Sequence, residues 1–355
     1  MGRLESADAP SPEPVFASHP APPWWSVGLE RCVMQAQELL EALADGGMVS
    51  GAHLAERAGV TRAAIWKQIE ALRARGVPVE SRGTAGYCLP WPVQLLDLPT
   101  LSASLSGEVR HRLGSLELHW EIDSTSSEIQ RRQSDLRDLS MVLAETQTAG
   151  RGRRGRRWLS PPGLNVYLSC LKRFDAGFAS LSGLSLAVGV IVMRTLTSLG
   201  ISGAGLKWPN DVLSDDGKLA GILVELGGEY QGPCAAIIGV GLNVRLTTAL
   251  HEQAGQPVND LTTLAGKAPD RNRVAAALIT ALAEGLDQFE REGFAAFVDE
   301  YTRHDLLCGK PLQVHGALGT LEGIGAGVDA RGALLLRAAD GMHRIDSADV
   351  SVRRA

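Results

Sequence analysis

Apolar and polar positions along the chain change rhythm three times. From residue 29 to about 89, apolar residues recur at helical spacing and then give way to short β runs. Ile65, Ile69 and Leu72 fall at i, i+4 and i+7, which predicts a helix with one buried stripe. Pro90, Pro92 and Pro99 then break any regular element, so a linker is expected there. Between about 101 and 305 the two periods alternate. Residues 116–122, 141–145, 166–171, 219–225 and 235–240 read as strands, and 180–199 and 273–292 as helices. The second helix sets Val274, Leu278, Ala281 and Leu282 on one face, and Gly293 follows as its stop. After Leu306 helical signals cease. Short β runs at 312–315 and 333–337 alternate with turns such as Asp340-Gly341, the pattern of a small barrel. The prediction is an α+β chain with an N-terminal domain over 29–92, a central mixed domain over 100–305 and a C-terminal β domain over 306–355. Residues 1–28, rich in Pro, Ala and Ser with no apolar period, are expected to be a disordered tail, with Trp24 and Trp25 resting on the first domain.

Composition narrows the class. A length of 355 residues is too great for one ordinary core, which agrees with several domains. The net charge of −5 is mild, so any nucleic-acid contact must come from a local basic patch. Five scattered cysteines with no CxxC spacing argue against a disulfide framework or a zinc site and fit a reducing cytoplasm. The uncharged run 176–193 just reaches membrane length, but its three serines and three glycines suit a buried helix better, and no membrane span is expected.

Residues 50–80 read as a helix-turn-helix. Ser50 and Thr61 are placed to cap two helices, with Gly59 at the turn between them. Arg62, Ala63, Trp66 and Lys67 then project from the faces opposite the buried stripe, near the end where a recognition helix meets base edges. The glycine-rich turn from Arg82 to Gly86 between short apolar runs reads as a wing. Five basic residues against two acids between Val60 and Arg82 suffice for several phosphate contacts. A small helical protein-interaction domain would share these features. Trp66 would either stack on a sugar or pack under the wing.

Three further segments carry candidate chemistry. Five arginines lie between Gly150 and Arg157, interleaved with glycines, a composition that suits anion binding by guanidinium groups and backbone N–H groups. A solvated charge run, a nucleic-acid segment and a loop closing over a nucleotide all fit it. Gln147 just before it offers a donor and an acceptor. Lys207-Trp208-Pro209-Asn210-Asp211 leads into a hairpin turning at the Ser-Asp-Asp-Gly sequence 214–217, with Lys218 beyond. This hairpin gathers lysines, a carboxamide and a carboxylate able to hold Mg2+, although an exposed structural hairpin would look the same. Gly239-Val240-Gly241-Leu242-Asn243 lacks the third glycine and the helix of a dinucleotide fingerprint. Its glycines would let a flat ring lie on the backbone, and Asn243 could pair with an adenine edge.

In this order, Asp123-Ser124-Thr125, Gln147 with 150–156, Lys207–Asp211, 218–225 and 239–243 resemble the biotin–protein ligase family in its bifunctional form that also represses biotin synthesis. The stretch from Thr61 to Tyr87 resembles the winged helix of that form, and the similarity extends from about Leu39 to Val352. The resemblance implies a winged helix, a central domain like class II tRNA synthetases and an SH3-like C-terminal barrel. It implies that MgATP and biotin give biotinoyl-5′-AMP, from which a lysine of a biotin carboxyl carrier protein takes the acyl group. Carried over, Ser124, Thr125, Ser126 and Gln147 would hold the ureido ring. Arg151, Gly152 and Arg153 would cover biotin and phosphate, and Lys218 would stand between carboxylate and α-phosphate. Gly150, Arg156, Asn210, Asp211 and Asn243 would serve ATP, with Asp211 on Mg2+. The catalytic set would be Lys218, Arg153 and Asp211. Arg62, Ala63, Trp66, Lys67 and Arg82 would meet operator DNA as part of a homodimer. Ser126 stands where the repressor has Asn, and 247–258 lacks the tryptophan that covers adenine there, leaving Val258 or a neighbouring aliphatic for that place. A lipoate-type ligase and a ligand-sensing transcription factor are the alternatives.

Overall fold

In the computed structural model, which describes residues 36–214, 217–228, 232–316, 319–346 and 351–354, capping side chains set the N-terminal helices. Residues 36–43 form α1. The Ser50 hydroxyl accepts from His53 N at the start of α2 (Gly51–Ala58), and Thr61 accepts from Ala64 N at the start of α3 (Arg62–Ala74). Between them Gly59 takes the left-handed conformation that ends α2. Ile65, Ile69 and Leu72 are buried as the spacing requires. The wing is β1 (Glu80–Ser81) paired antiparallel with β2 (Tyr87–Cys88). The expected tail and the Asp215-Asp216 turn lie outside the described residues.

The proline-marked stretch is no free linker. Val93 and Leu96 are buried, and neighbouring side chains hold the backbone. Arg271 donates to Gln94 O, Asn272 donates to Leu95 O and accepts from Asp97 N, and Leu96 N donates to the Glu145 carboxylate. Proline excludes a regular ladder here, so the remaining buried backbone groups need side-chain partners. The stretch is irregular, as the prolines require, and its backbone is packed.

Next come α4 (Leu98–Ser104) and α5 (Gly107–Arg112), and then the central sheet with two covered faces. In spatial order its strands are β3 (Ser115–Ile122), β4 (Ser140–Gln147), β5 (Val166–Phe174), β9 (Cys234–Leu242), β8 (Gly217–Gly228), β7 (Asp211–Ser214) and β6 (Gly205–Lys207). β3 and β4 are parallel and the other pairs antiparallel. Alternation assigns the faces. Even positions such as Leu168, Cys170, Ile238 and Val240 join the core under α7 (Leu184–Ser198) and α10 (Arg271–Glu292). Odd positions Leu171 and Ile237 pack instead with Ile129 of α6 (Thr125–Arg131), a helix the apolar pattern does not announce. The uncharged run becomes buried α7, preceded by a separate turn (Phe178–Leu181) and capped by Gly183, so the helix starts later than expected. No helix among the described residues is long and apolar enough to cross a membrane.

After α8 (Thr248–Gln253), α9 (Leu261–Ala265) and α11 (Val298–His304) comes the C-terminal antiparallel sheet. It consists of β10 (Pro311–Gly316), β11 (Gly319–Val328), β12 (Leu334–Ala338), β13 (Gly341–Ile345) and β14 (Ser351–Arg354), ordered β13-β12-β11-β10-β14. Leu312, Val314, Leu334 and Leu336 share the central core, and Trp208 Nε1 donates to Gly332 O.

Candidate active site

Along the α6 face of the sheet, the apolar packing of Leu171 and Ile237 gives way to Ser169 beside Gly239 and Tyr167 beside Gly241. A cleft opens over Ser169 and the two glycines, with Tyr167 in its wall. Its polar wall comes from the start of α6. Gln147 Oε1 accepts from Thr125 N at 2.9 Å, and the Ser169 hydroxyl lies 2.7 Å from that of Thr125 and 2.9 Å from that of Ser126. Ser124, Thr125, Ser126 and Gln147 are all buried. Asp123 holds α6 from outside through Arg131, whose guanidinium keeps the Asp123 carboxyl below its ordinary pKa. Ser169 was missed in the sequence, though its odd place in the strand from 166 put it on this face.

The arginine loop folds as a narrow hairpin over the same cleft. Gly152 N donates to Arg156 O and Trp158 N to Gly150 O. Arg151, Gly152 and Arg153 line the cleft, whereas Arg156 is exposed outside it. Self-repulsion does not leave the loop unanchored. Arg151 pairs with Glu225 at 2.6 Å, Arg153 donates to Asn210 Oδ1, and Arg157 donates to Thr148 O.

The flat ring on the glycines is the protein's own. A Cβ on Gly241 would lie 2.3 Å from the Trp158 ring, and one on Gly221 2.8 Å from it. Trp158 therefore lies directly on the strands and borders two clefts, this one and a second that reaches Asn243, Leu250 and Val258. Lys218 also lines both. Its Nζ is 2.7 Å from Asp211 Oδ1 and 5.6 Å from the centre of the Trp158 ring. The ammonium is thus fixed at the seam by a carboxylate and an aromatic face.

On the far side of that seam the expectation for Asn243 needs correction. Its Nδ2 donates to Lys218 O at 3.1 Å and to Asn259 O at 3.2 Å, so the paired amide bonding foreseen for an adenine edge is already committed. Asn243 holds the chain around Lys218. Buried Asn165 lines the second cleft as well. Its Oδ1 accepts from Val244 N and Arg245 N, and its amide lies beside the Tyr167 hydroxyl. The segment after Asn243 folds as α8, and Leu250 of that helix packs into the core of the winged helix. Among the described residues no three acidic, His or Cys side chains gather to hold a metal. The Asp211 carboxylate is paired with Lys218, and a Mg2+ there would take most of its ligands from ATP phosphates and water.

The basic face lies on the other side of the winged helix. Arg62, Ala63, Lys67 and Arg82 are exposed, and Trp66 is 55% exposed, so it does not pack under the wing.

A polar pocket, a lysine at a seam and an arginine loop lie on one mixed sheet behind a winged helix, an arrangement suited to a small polar ligand next to an anion. Comparisons make the class specific. The chain matches the Biotin/lipoate A/B protein ligase family over residues 121–243, an HTH domain over 35–88 and the Biotin protein ligase C terminal domain over 308–353. It is 40% identical to the bifunctional ligase/repressor BirA of Salmonella typhimurium, across 84% of this chain and 91% of that protein. It is 33% identical to the biotin–[acetyl-CoA-carboxylase] ligase of Mycobacterium tuberculosis, across 62% of this chain and 82% of that one. A biotin protein ligase structure from Aquifex aeolicus in complex with biotin and ATP superposes with a TM-score of 0.60 at 29% identity, covering 68% of this chain and 99% of that chain. The chain belongs to the biotin protein ligase family, in its bifunctional ligase/repressor form.

Proposed function

We propose that this chain activates biotin with ATP, transfers it to a lysine of a biotin carboxyl carrier protein, and represses biotin synthesis as a DNA-bound homodimer. The observation that carries the reading is Lys218, which lines both clefts with its ammonium fixed between Asp211 and Trp158. The ureido ring sits against Ser124, Thr125, Ser126, Ser169 and Gln147, whose donors and acceptors match its carbonyl and N–H groups better than they would match a dithiolane. The carboxylate then points towards Lys218, and ATP occupies the second cleft with Asn165 beside the base.

A carboxylate oxygen attacks the α-phosphorus, the bond to pyrophosphate breaks, and biotinoyl-5′-AMP forms. Lys218 neutralises negative charge that concentrates as the two anions meet, and it is already placed to do so. Arg151 and Arg153 cover the mixed anhydride, while Gly150 lets the loop approach Gln147 and Arg156, exposed outside the cleft, adds only distant positive charge. The carrier amine, deprotonated, then attacks the acyl carbon, AMP departs and the amide remains. Mg2+ carried on the phosphates of ATP would offset their charge, and Asp211 is the carboxylate that would meet it, whereas Asn210 lines the biotin-side cleft and accepts from Arg153.

Repression rests on the exposed recognition face: Arg62, Ala63, Trp66 and Lys67 in the major groove, and Arg82 on the backbone. Two copies are needed to read a palindrome. The free cysteines Cys88, Cys170, Cys234 and Cys308 suit a reducing cytoplasm. In the test, parent and Lys218→Ala are incubated with ATP, biotin or lipoate, and pyrophosphate. Biotin-dependent exchange by the parent, reduced by at least about 100-fold in the variant, is expected. Exchange with lipoate, or full exchange by the variant, refutes the reading.

A further inference from the structure

The reaction as described uses Lys218 at one end of β8 and leaves Glu225 at the other without a role. Glu225 follows Gly221 and Leu223 on one face of the strand, opposite Ile237 of β9. Its carboxylate accepts from Arg151 Nη2 at 2.6 Å, with both side chains about two-thirds buried. Arg151 stands at the base of the arginine hairpin, bridged to Arg157 across it, and lines the biotin-side cleft. Five guanidinium groups within seven residues favour an open, splayed loop. An ion pair from the base of that loop to a rigid central strand opposes the tendency and lowers the entropy lost on closure. We propose that Glu225 is a positioning residue: through Arg151 it stabilises the closed position of the arginine loop over the cleft, and so governs biotin affinity and retention of the acyl-adenylate. The inference rests on the ligase reading above.

The test uses the full chain and biotin-dependent ATP–pyrophosphate exchange, together with acylation of a bystander protein as a measure of escaped adenylate. Glu225→Ala should raise KM for biotin about fivefold, leave kcat within about twofold, and increase bystander labelling. Glu225→Gln keeps the acceptor and the size of the side chain and should fall between the two; it also serves if the alanine variant does not fold. In an Arg151→Ala background, Glu225→Ala should add nothing, because the residue acts through that arginine. Unchanged KM and labelling, or additive effects in the double variant, would overturn the proposal. A lower KM would mean that Glu225 competes with the substrate carboxylate, and would overturn it too. Absence of exchange in the parent would remove the ligase reading, whereas a parent-like Glu225→Ala removes this proposal alone.

Discussion

Replacing Gly241 with alanine would put a methyl group 2.3 Å from Trp158 Cε2 and 2.6 Å from Cζ2 and Nε1. To regain ordinary contact the indole must retreat by about 1 Å. It lies in the partition between the two clefts, and Lys218 Nζ stands 5.6 Å from its centre, so the move displaces the ammonium or narrows a cleft. Overpacking of this kind costs about 1–3 kcal/mol of stability. A shift of about 1 Å among reacting groups costs on the order of 100-fold in rate. The expected signature is a modest fall in the urea midpoint with a disproportionate loss of pyrophosphate exchange. Gly107→Ala is the control, since nothing lies within 4 Å of its added Cβ. Parent-like exchange in Gly241→Ala would show that Trp158 does not set the seam.

Three other outcomes are expected. Arg271→Ala leaves the Glu145 carboxylate buried without its ion-pair partner, with both side chains at most 5% exposed; urea denaturation should register about 3–5 kcal/mol, and a double change to Glu145→Gln/Arg271→Met should cost less. The Asp123 carboxyl has a depressed pKa in the fold because of Arg131, so its contribution is complete above the unfolded value of about 3.9 and is lost as pH falls through the lower folded value. Asp123→Asn should therefore lose stability at neutral pH and show a shallower acid limb in melts below about pH 4, whereas an unchanged acid limb would refute the pairing. On operator DNA selected by the parent from random duplexes, Lys67→Ala should lower the slope of log K against log salt by about 1 if the lysine meets a phosphate; an unchanged slope would place it elsewhere.

Periodicity in the sequence was enough to locate β3, β4, β5, β8, β9, β10, β12 and the long helix α10, but not β11, β13 or β14. It was silent on α6, where Thr125, Ser126 and Ile129 are buried and two of the three are polar. A helix that buries hydroxyls for a ligand has no apolar stripe to read. The site residues of the first cleft were legible as motifs, yet Ser169 and Tyr167 lay inside a strand where nothing separates a pocket residue from a core one. Asn243 was misjudged for a related reason: an amide beside glycines looks available, and only the fold reveals the two carbonyls that claim it. The pairing of Arg151 with Glu225 spans 74 positions, and no local pattern carries it.

Leu250 belongs to the catalytic half of the chain but is buried in the apolar cluster of the winged helix, and a Cβ on Gly76 at the end of α3 would stand 2.7 Å from its Cδ2. Leu164 enters the same cluster from the same half. The DNA reader is consequently not a detachable module. Trimming it away to obtain a compact labelling enzyme would turn Leu164 and Leu250 towards water, Leu250 in the wall of the second cleft. Grafting a foreign reader in its place would succeed only if the newcomer brought a glycine, and a hollow the size of a leucine, to the end of its recognition helix.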